Sequence, residues 1–275
     1  MIEMPEAIVL ANQINETVKG KTIKQVTAAQ SPHKFAWYHG EPEKYQELLG
    51  GKSVGNAKGL GSFVEIPAGE VVILFSEGLN LRFHMEESPR PKKHQLLIEF
   101  EDGTAMSASV QMYGGLWCFR KDTFDNDYYQ QAQEKPSPMT KAFTKKYFDD
   151  LMAPPEMEKL SLKAFLATEQ RIPGLGNGVL QDILFYAKLH PKRKTKTLTK
   201  DERENLYGAL LSTLAEMTAM GGRDTEKDLY GNPGGYSTKM SKNTANKPCQ
   251  ACGTTIKKEA YMGGSVYYCP ECQKM

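Results

Sequence analysis

Four of the five cysteines in this chain fall in its last 27 residues, as Cys249-x-x-Cys252 and Cys269-x-x-Cys272. Sixteen residues separate the two pairs, inside the roughly 15–20 that join the halves of a four-thiolate zinc site. Each CxxC turn aims two sulfurs at one point, and four protein ligands leave no coordination position for water. Cys249, Cys252, Cys269 and Cys272 therefore predict one structural zinc ion. Between the pairs, Ile256, Val266, Tyr267 and Tyr268 suit two paired strands, and Gly253, Gly263 and Gly264 suit tight turns. Zinc ribbons also serve protein contacts, so this module alone leaves the function open. The fifth cysteine, Cys118, sits among Leu116, Trp117 and Phe119 and reads as a buried structural thiol.

The rest of the chain is long enough for two packed domains besides this module, at 275 residues with 40% hydrophobic and 25% charged side chains. The first residues lack the basic patch and apolar run of a signal peptide, and no segment approaches the roughly 18 apolar residues of a membrane span. These observations predict a cytoplasmic, nucleoid-associated monomer without a membrane partner. The formal net charge of +2 decides little, but its distribution is uneven. Lys188, Lys192, Arg193, Lys194, Lys196 and Lys200 form an acid-free run, and Lys239, Lys242, Lys247, Lys257 and Lys258 continue it. Such clusters either neutralise phosphates or form a solvated face.

Apolar residues Ile8, Leu10, Ala11, Ile14 and Val18 recur at helical spacing over Pro5–Val18. Short β-rich runs follow at 22–28, 62–66, 71–75, 95–100, 104–110 and 116–119, with Glu101-Asp102-Gly103 as a hairpin turn. Gln130 to Pro138, with Pro136 and Pro138, reads as a linker. Beyond it the period becomes helical at 141–151, 161–167, 177–187 and 200–220, before a glycine-rich loop at 221–235. The prediction is an α+β chain: an N-terminal β-sandwich with a leading helix (1–130), a linker (131–139), a helical domain (140–240) and a zinc hairpin (245–275).

The segment Glu169-Gln170-Arg171-Ile172-Pro173-Gly174-Leu175-Gly176-Asn177 reads as a helix end, a Pro-Gly-x-Gly reversal and a new helix capped by Asn177. A helix start offers N–H groups to an anion such as a phosphate, though a plain capped helix accounts equally well for the pattern. This segment, with Leu184-Phe185, Ala187 and His190-Pro191, is similar to the helix-two-turn-helix motif of the formamidopyrimidine-DNA glycosylase and endonuclease VIII family. The cysteine hairpin resembles that family's C-terminal finger, Glu3, Pro5 and Glu6 its N-terminal Pro-Glu-x-Pro-Glu, Lys135-Pro136-Ser137-Pro138 its interdomain segment, and Gly221-Gly222 its flexible base-binding loop. The resemblance implies a helix-two-turn-helix DNA-binding domain, with damaged or abasic double-stranded DNA bound between the two domains. It assigns DNA contacts to Gly174, Gly176, Asn177, Lys192 and Arg193, while Arg223, in the loop after Gly222, reads equally as a base contact or as an exposed polar loop residue.

Several positions depart from the family pattern. The family's nucleophilic N-terminal Pro corresponds to Ile2, so the free amine belongs to Met1, one residue out of register, which argues against the lyase step. The catalytic Lys aligns with Leu60, leaving Lys58 as the substitute. The phosphate-gripping Arg corresponds to Gly264, the wedge Met to Gly78, and the intercalating pair to Gln111 and Tyr113. Tyr113 is suited either to stack in a duplex or to pack locally. Glu3, with Glu6 assisting, is the acid–base candidate, provided burial raises its pKa. Otherwise both are acids favoured by the helix dipole. Three readings stay open: a DNA glycosylase using Glu3-activated water or the Met1 amine, a family member that binds damaged DNA without chemistry, and a zinc-ribbon interaction protein.

Overall fold

Helix α1 (Met4–Thr17) starts the chain and buries Ala7, Leu10, Ala11 and Ile14 along one face. The computed structural model describes residues 1–275. After α1 come β1 (Ile23–Ala28), β2 (Ala36–Trp37), α2 (Tyr45–Leu49), β3 (Lys58–Leu60), β4 (Phe63–Ala68), β5 (Val71–Phe75), β6 (Leu79–His84), β7 (Leu96–Phe100), β8 (Ala105–Val110) and β9 (Gly114–Arg120). They form two sheets, β1-β7-β8-β6 and β2-β9-β5-β4-β3, antiparallel throughout except where β2 runs parallel to β9. Inward side chains such as Ile73, Phe75, Leu81, Ile98 and Met106 make the core between them, with the buried Cys118 thiol among them. This is the expected sandwich. The Glu101–Gly103 hairpin joins β7 to β8, and Gly103 takes a φ of +79°.

The stretch expected to be a linker is half helix. Helix α3 (Asp127–Glu134) starts where the Asn126 side chain accepts a bond from the Tyr129 N–H. Tyr129 and Ala132, three residues apart, bury against Phe63 and Phe119 on the outer face of the second sheet. The prolines act only after Lys135, so the irregular connection is confined to the residues around Pro136 and Pro138.

The helical part comprises α4 (Lys145–Met152), α5 (Leu162–Ala167), α6 (Val179–Tyr186) and α7 (Lys200–Ala219). Thr199 and Glu202 form a capping box at the start of α7. The core is built from Phe148, Phe165, Ile183, Leu206, Leu210 and Leu214. The chain ends in a hairpin of β10 (Lys257–Tyr261) and β11 (Gly264–Tyr268), flanked by the cysteine pairs as the spacing predicts. No helix is long and apolar enough to cross a membrane.

The two halves exchange parts. Met4 of α1 belongs to the core of the helical half, while Leu229, from the loop after α7, belongs to the core of the sandwich. That loop is stapled down: the Leu229 carbonyl accepts from Phe83 N–H at 2.9 Å, and its N–H donates to Gln13 Oε1 at 2.9 Å. The glycine-rich segment is therefore an ordered bridge between domains, where the sequence pointed to a flexible loop.

Candidate active site and nucleic-acid interface

Helix α6 follows the Pro173–Gly176 reversal, and its first N–H groups need an acceptor. Asn177, the expected cap, does not supply it. Glu3 does, from the other end of the chain: Oε1 accepts from Gly178 N–H and Oε2 from Val179 N–H, each at 2.8 Å. The approach is close enough that a Cβ on Gly176 would lie 2.6 Å from the Glu3 carboxyl carbon. Gly174, with φ +78°, turns the chain and packs on the Gly61 backbone, where any Cβ would collide. It is buried, and its carbonyl accepts from Met4 N–H at 2.9 Å. Gly174 thus serves contact between domains, where the resemblance implied contact with DNA.

Glu3 is 3% exposed and shares its site with Glu6 and Arg223. The Arg223 guanidinium holds Glu6 with two hydrogen bonds, Nε–Oε1 at 3.0 Å and Nη2–Oε2 at 2.7 Å, and lies 3.5 Å from Glu3 Oε2. Its own N–H also donates to Glu6 at 3.1 Å. Arg223 is only 2% exposed. It is an internal clamp on two carboxylates, and the exposed base contact expected of it is not what the fold builds. Burial pushes the Glu3 carboxyl above its ordinary value, further than Arg223 and the two backbone donors pull it down. At Glu6 burial again opposes ionisation, but Arg223 and its hydrogen bonds outweigh it and hold the group below the ordinary range. Two neighbouring glutamates are thereby driven in opposite directions, the pattern that separates a proton carrier from a fixed anion.

Ile2 is 3% exposed, packed into the sandwich core. The free amine is that of Met1, which forms an ion pair with Glu226, while its carbonyl accepts from Arg223 Nη2 at 3.3 Å. Met1, Glu3, Asn177, Arg223 and Glu226 line one cleft, with Thr238 and Lys242 across from them. Lys58 is not in it: it lies exposed at the start of β3.

Asn177 also borders the cleft, but its amide faces the zinc hairpin. Nδ2 donates to the Ser265 carbonyl at 3.0 Å, and Oδ1 accepts from Gln181 Nε2 at 3.3 Å. Gln181, one turn along α6, accepts from Tyr267 N–H at 3.1 Å. Gly264 leaves space beside these groups, since a Cβ there would stand 3.4 Å from Lys163 Nζ and 3.5 Å from Asn177 Nδ2. Lys163, from α5, is 4% exposed and donates to the Tyr261 carbonyl at 2.6 Å. The sequence reading missed Lys163, Gln181 and Glu226. Only Gln181 carried a local signal, its i+4 spacing from Asn177.

The basic run is differently used. Arg193 holds Glu202 with bonds of 2.5 and 2.7 Å, which fixes the start of α7, and Lys192 pairs with Glu259 of the hairpin. Both expected phosphate contacts carry internal partners instead. On the sandwich, Gln111 and Met112 are exposed in the turn before β9. Tyr113 donates to Glu77 Oε1 at 3.2 Å. Gly78 cannot be replaced by a wedge residue, because a Cβ there would strike the Tyr113 carbonyl.

The four cysteine sulfurs lie within 4.8 Å of one another, with Cys252–Cys269 at 3.4 Å and Cys249–Cys272 at 3.9 Å. Tetrahedral zinc with bonds of about 2.3 Å places its sulfurs roughly 3.8 Å apart, so the donor set fits. Gln273 fastens the second pair, accepting from Cys269 N–H and donating to the Leu189 carbonyl, both at 3.0 Å. The zinc is structural.

Residues 1–116 match the family model for the formamidopyrimidine-DNA glycosylase N-terminal domain, and residues 135–228 that for the formamidopyrimidine-DNA glycosylase H2TH domain. The chain belongs to the formamidopyrimidine-DNA glycosylase family. It is 28% identical over 279 residues to the formamidopyrimidine-DNA glycosylase of a Bacillus cereus strain, covering 99% of both chains. To the same-named protein of Listeria innocua it is 28% identical over 286 residues, covering 100% of both. Its fold is similar to that of the MutM (Fpg) protein of Thermus thermophilus, with a TM-score of 0.82, 25% identity and 98% of each chain covered. It is also similar to Lactococcus lactis Fpg in complex with abasic-site DNA, with a TM-score of 0.83, 21% identity and coverage of 99% of this chain and 100% of that one. Within this glycosylase family, the Glu3–Glu6–Arg223 cluster occupies the junction of the two domains described by the two family models.

Proposed function

We propose that this chain is a DNA glycosylase of base excision repair that releases a damaged base from double-stranded DNA through water activated by Glu3. The observation that carries this reading is the buried Glu3 carboxyl, raised in pKa and facing the cleft beside Asn177. Each of its oxygens accepts one backbone N–H and retains a lone pair. The ionised group takes a proton from water, the oxygen bonds to C1′ of the damaged nucleotide, and the base leaves with the glycosidic electron pair and a proton returned by Glu3. Asn177, at the edge of the cleft, is the phosphate contact, and its amide would exchange the Ser265 carbonyl for a phosphate oxygen when DNA binds. The curated relatives point to formamidopyrimidine-bearing DNA as the first substrate to try.

The Met1 amine supports a second reading, covalent attack on C1′, because it lies in the same cleft. Its contact with Glu226 favours the hydrolytic route, since the nitrogen is engaged by that carboxylate and not free to approach C1′. The test combines base release with borohydride trapping on formamidopyrimidine and abasic-site oligonucleotides. Expected are base release without a trapped complex, a loss of roughly 100-fold or more in Glu3→Gln, and a rate that falls as pH drops through the raised pKa of Glu3. A trapped adduct at Met1 establishes the covalent route. Binding without release on any lesion leaves the chain a damage-recognition protein.

A further inference from the structure

A second concavity, sharing no lining residue with the cleft of the carboxylate cluster, opens on the sandwich beside the Tyr113 turn. Its volume is about 330 Å³, within the roughly 300–1,000 Å³ of small-ligand pockets. Phe63 and Trp117 lie at its inner part, their ring centroids 6.3 Å apart. Trp37 and Tyr113 stand side by side at 5.6 Å, and Tyr128 enters from the first turn of α3. At its mouth Trp37 is 46% and Tyr128 55% exposed, so both rings leave surface open to a ligand.

The pocket is built. Gly115 lets the Trp117 ring lie flat over the backbone, where any Cβ would meet the ring. Ser76 Oγ accepts the Gly115 N–H at 2.7 Å and fixes the turn. Glu77 is the one carboxylate lining the pocket. Tyr113 binds its Oε1, and Oε2 has no protein donor. Burial raises the Glu77 carboxyl above its ordinary value, against the bond from Tyr113. Ser62 of the pocket wall follows Gly61, whose backbone packs on Gly174, two residues before the Gly176 that abuts Glu3, so the pocket adjoins the cleft of Glu3.

We propose that this pocket binds one unpaired nucleobase of the bound DNA, stacked among Trp37, Tyr113 and Tyr128, with Glu77 reading the base's hydrogen-bonding edge. Aromatic side chains around a slot with one edge-directed carboxyl match a planar heterocycle bearing N–H donors, and every base offers a π-face. Proximity to the Glu3 cleft selects a base near the damaged position over a free metabolite. The inference rests on the reading of this chain as a DNA-binding repair protein, but not on its chemistry.

The experiment compares affinity for two DNAs carrying a non-cleavable abasic-site analogue: a full duplex, and one in which the neighbouring bases are unpaired in a bubble. The intact protein is expected to bind the bubble more tightly. The double variant Trp37→Ala/Tyr128→Ala is expected to lose roughly five- to a hundred-fold on the bubble and to keep its affinity for the duplex. 2-Aminopurine placed beside the analogue should be quenched by the intact protein and less so by the variant. Equal affinity of the variant and the intact protein for the bubble overturns the proposal. So does an equal loss on both DNAs with zinc content and helical signal retained, because the pocket would then serve paired DNA. Failure of the intact protein to bind either DNA would instead overturn the repair reading.

Discussion

Two glutamates three residues apart, in the same helical turn and beside the same arginine, end up with opposite proton affinities. The difference lies in contacts: Glu6 has two direct bonds to the guanidinium, and Glu3 only a 3.5 Å approach plus two amide donors. Glu6 is thus the permanent counter-ion of a buried cation. Glu6→Gln leaves Arg223 with too little negative charge, and the expected loss in urea unfolding at neutral pH is about 3 kcal/mol. Because the folded pKa of Glu6 is depressed, its contribution is present above the ordinary value of 4.5 and fades as pH falls through the lower folded value. The gap between the intact protein and Glu6→Gln should therefore narrow in acid. A gap independent of pH would show that hydrogen bonding, not charge, is what Glu6 contributes.

Elements differed in how plainly the sequence announced them. The zinc hairpin was legible because its signal is local: two turns, sixteen residues, alternating apolar positions. Helix α1 and strands β1, β5, β7 and β8 were legible for the same reason. β6 went unread although Leu79, Leu81 and Phe83 alternate with Asn80, Arg82 and His84 in a readable strand pattern, and β2 is two residues long. The cap of α6 was assigned to Asn177 on local grounds, whereas the acceptor is Glu3, 175 residues away from Gly178. No sequence window contains both. The role of Arg223 was unreadable for that reason too: an arginine after two glycines looks like an exposed loop residue until α1 is packed against it. The hairpin also has an outward duty, since Ser265 and Tyr267 orient Asn177 and Gln181. Removing zinc with a strong chelator should melt β10 and β11 and lower affinity for abasic-analogue DNA at least tenfold. Most helical signal should remain, and added zinc should restore binding. Unchanged binding after complete zinc loss would separate the hairpin from DNA recognition.

At the scale of the whole molecule, the domain boundary in sequence is not a boundary in space. Helix α1 lends Met4 to the helical core, and the loop beyond α7 lends Leu229 to the sandwich, with Asp228 and Leu229 tied to Gln13, Arg82 and Phe83. A chain cut after the exposed Lys141 should therefore elute as one particle in gel filtration and separate only in denaturant. Two separable fragments would mean that the shared contacts are weaker than their burial implies. The clamp at Arg223 has a further consequence for synthesis. The acids of the first turn of α1 emerge from the ribosome more than two hundred residues before their cation. Domains generally fold as they are made, N-terminal first. Here the sandwich can collapse early on the apolar face of α1, but Glu6 must stay solvated or protonated until residue 223 arrives, so the first turn of that helix is among the last parts to settle.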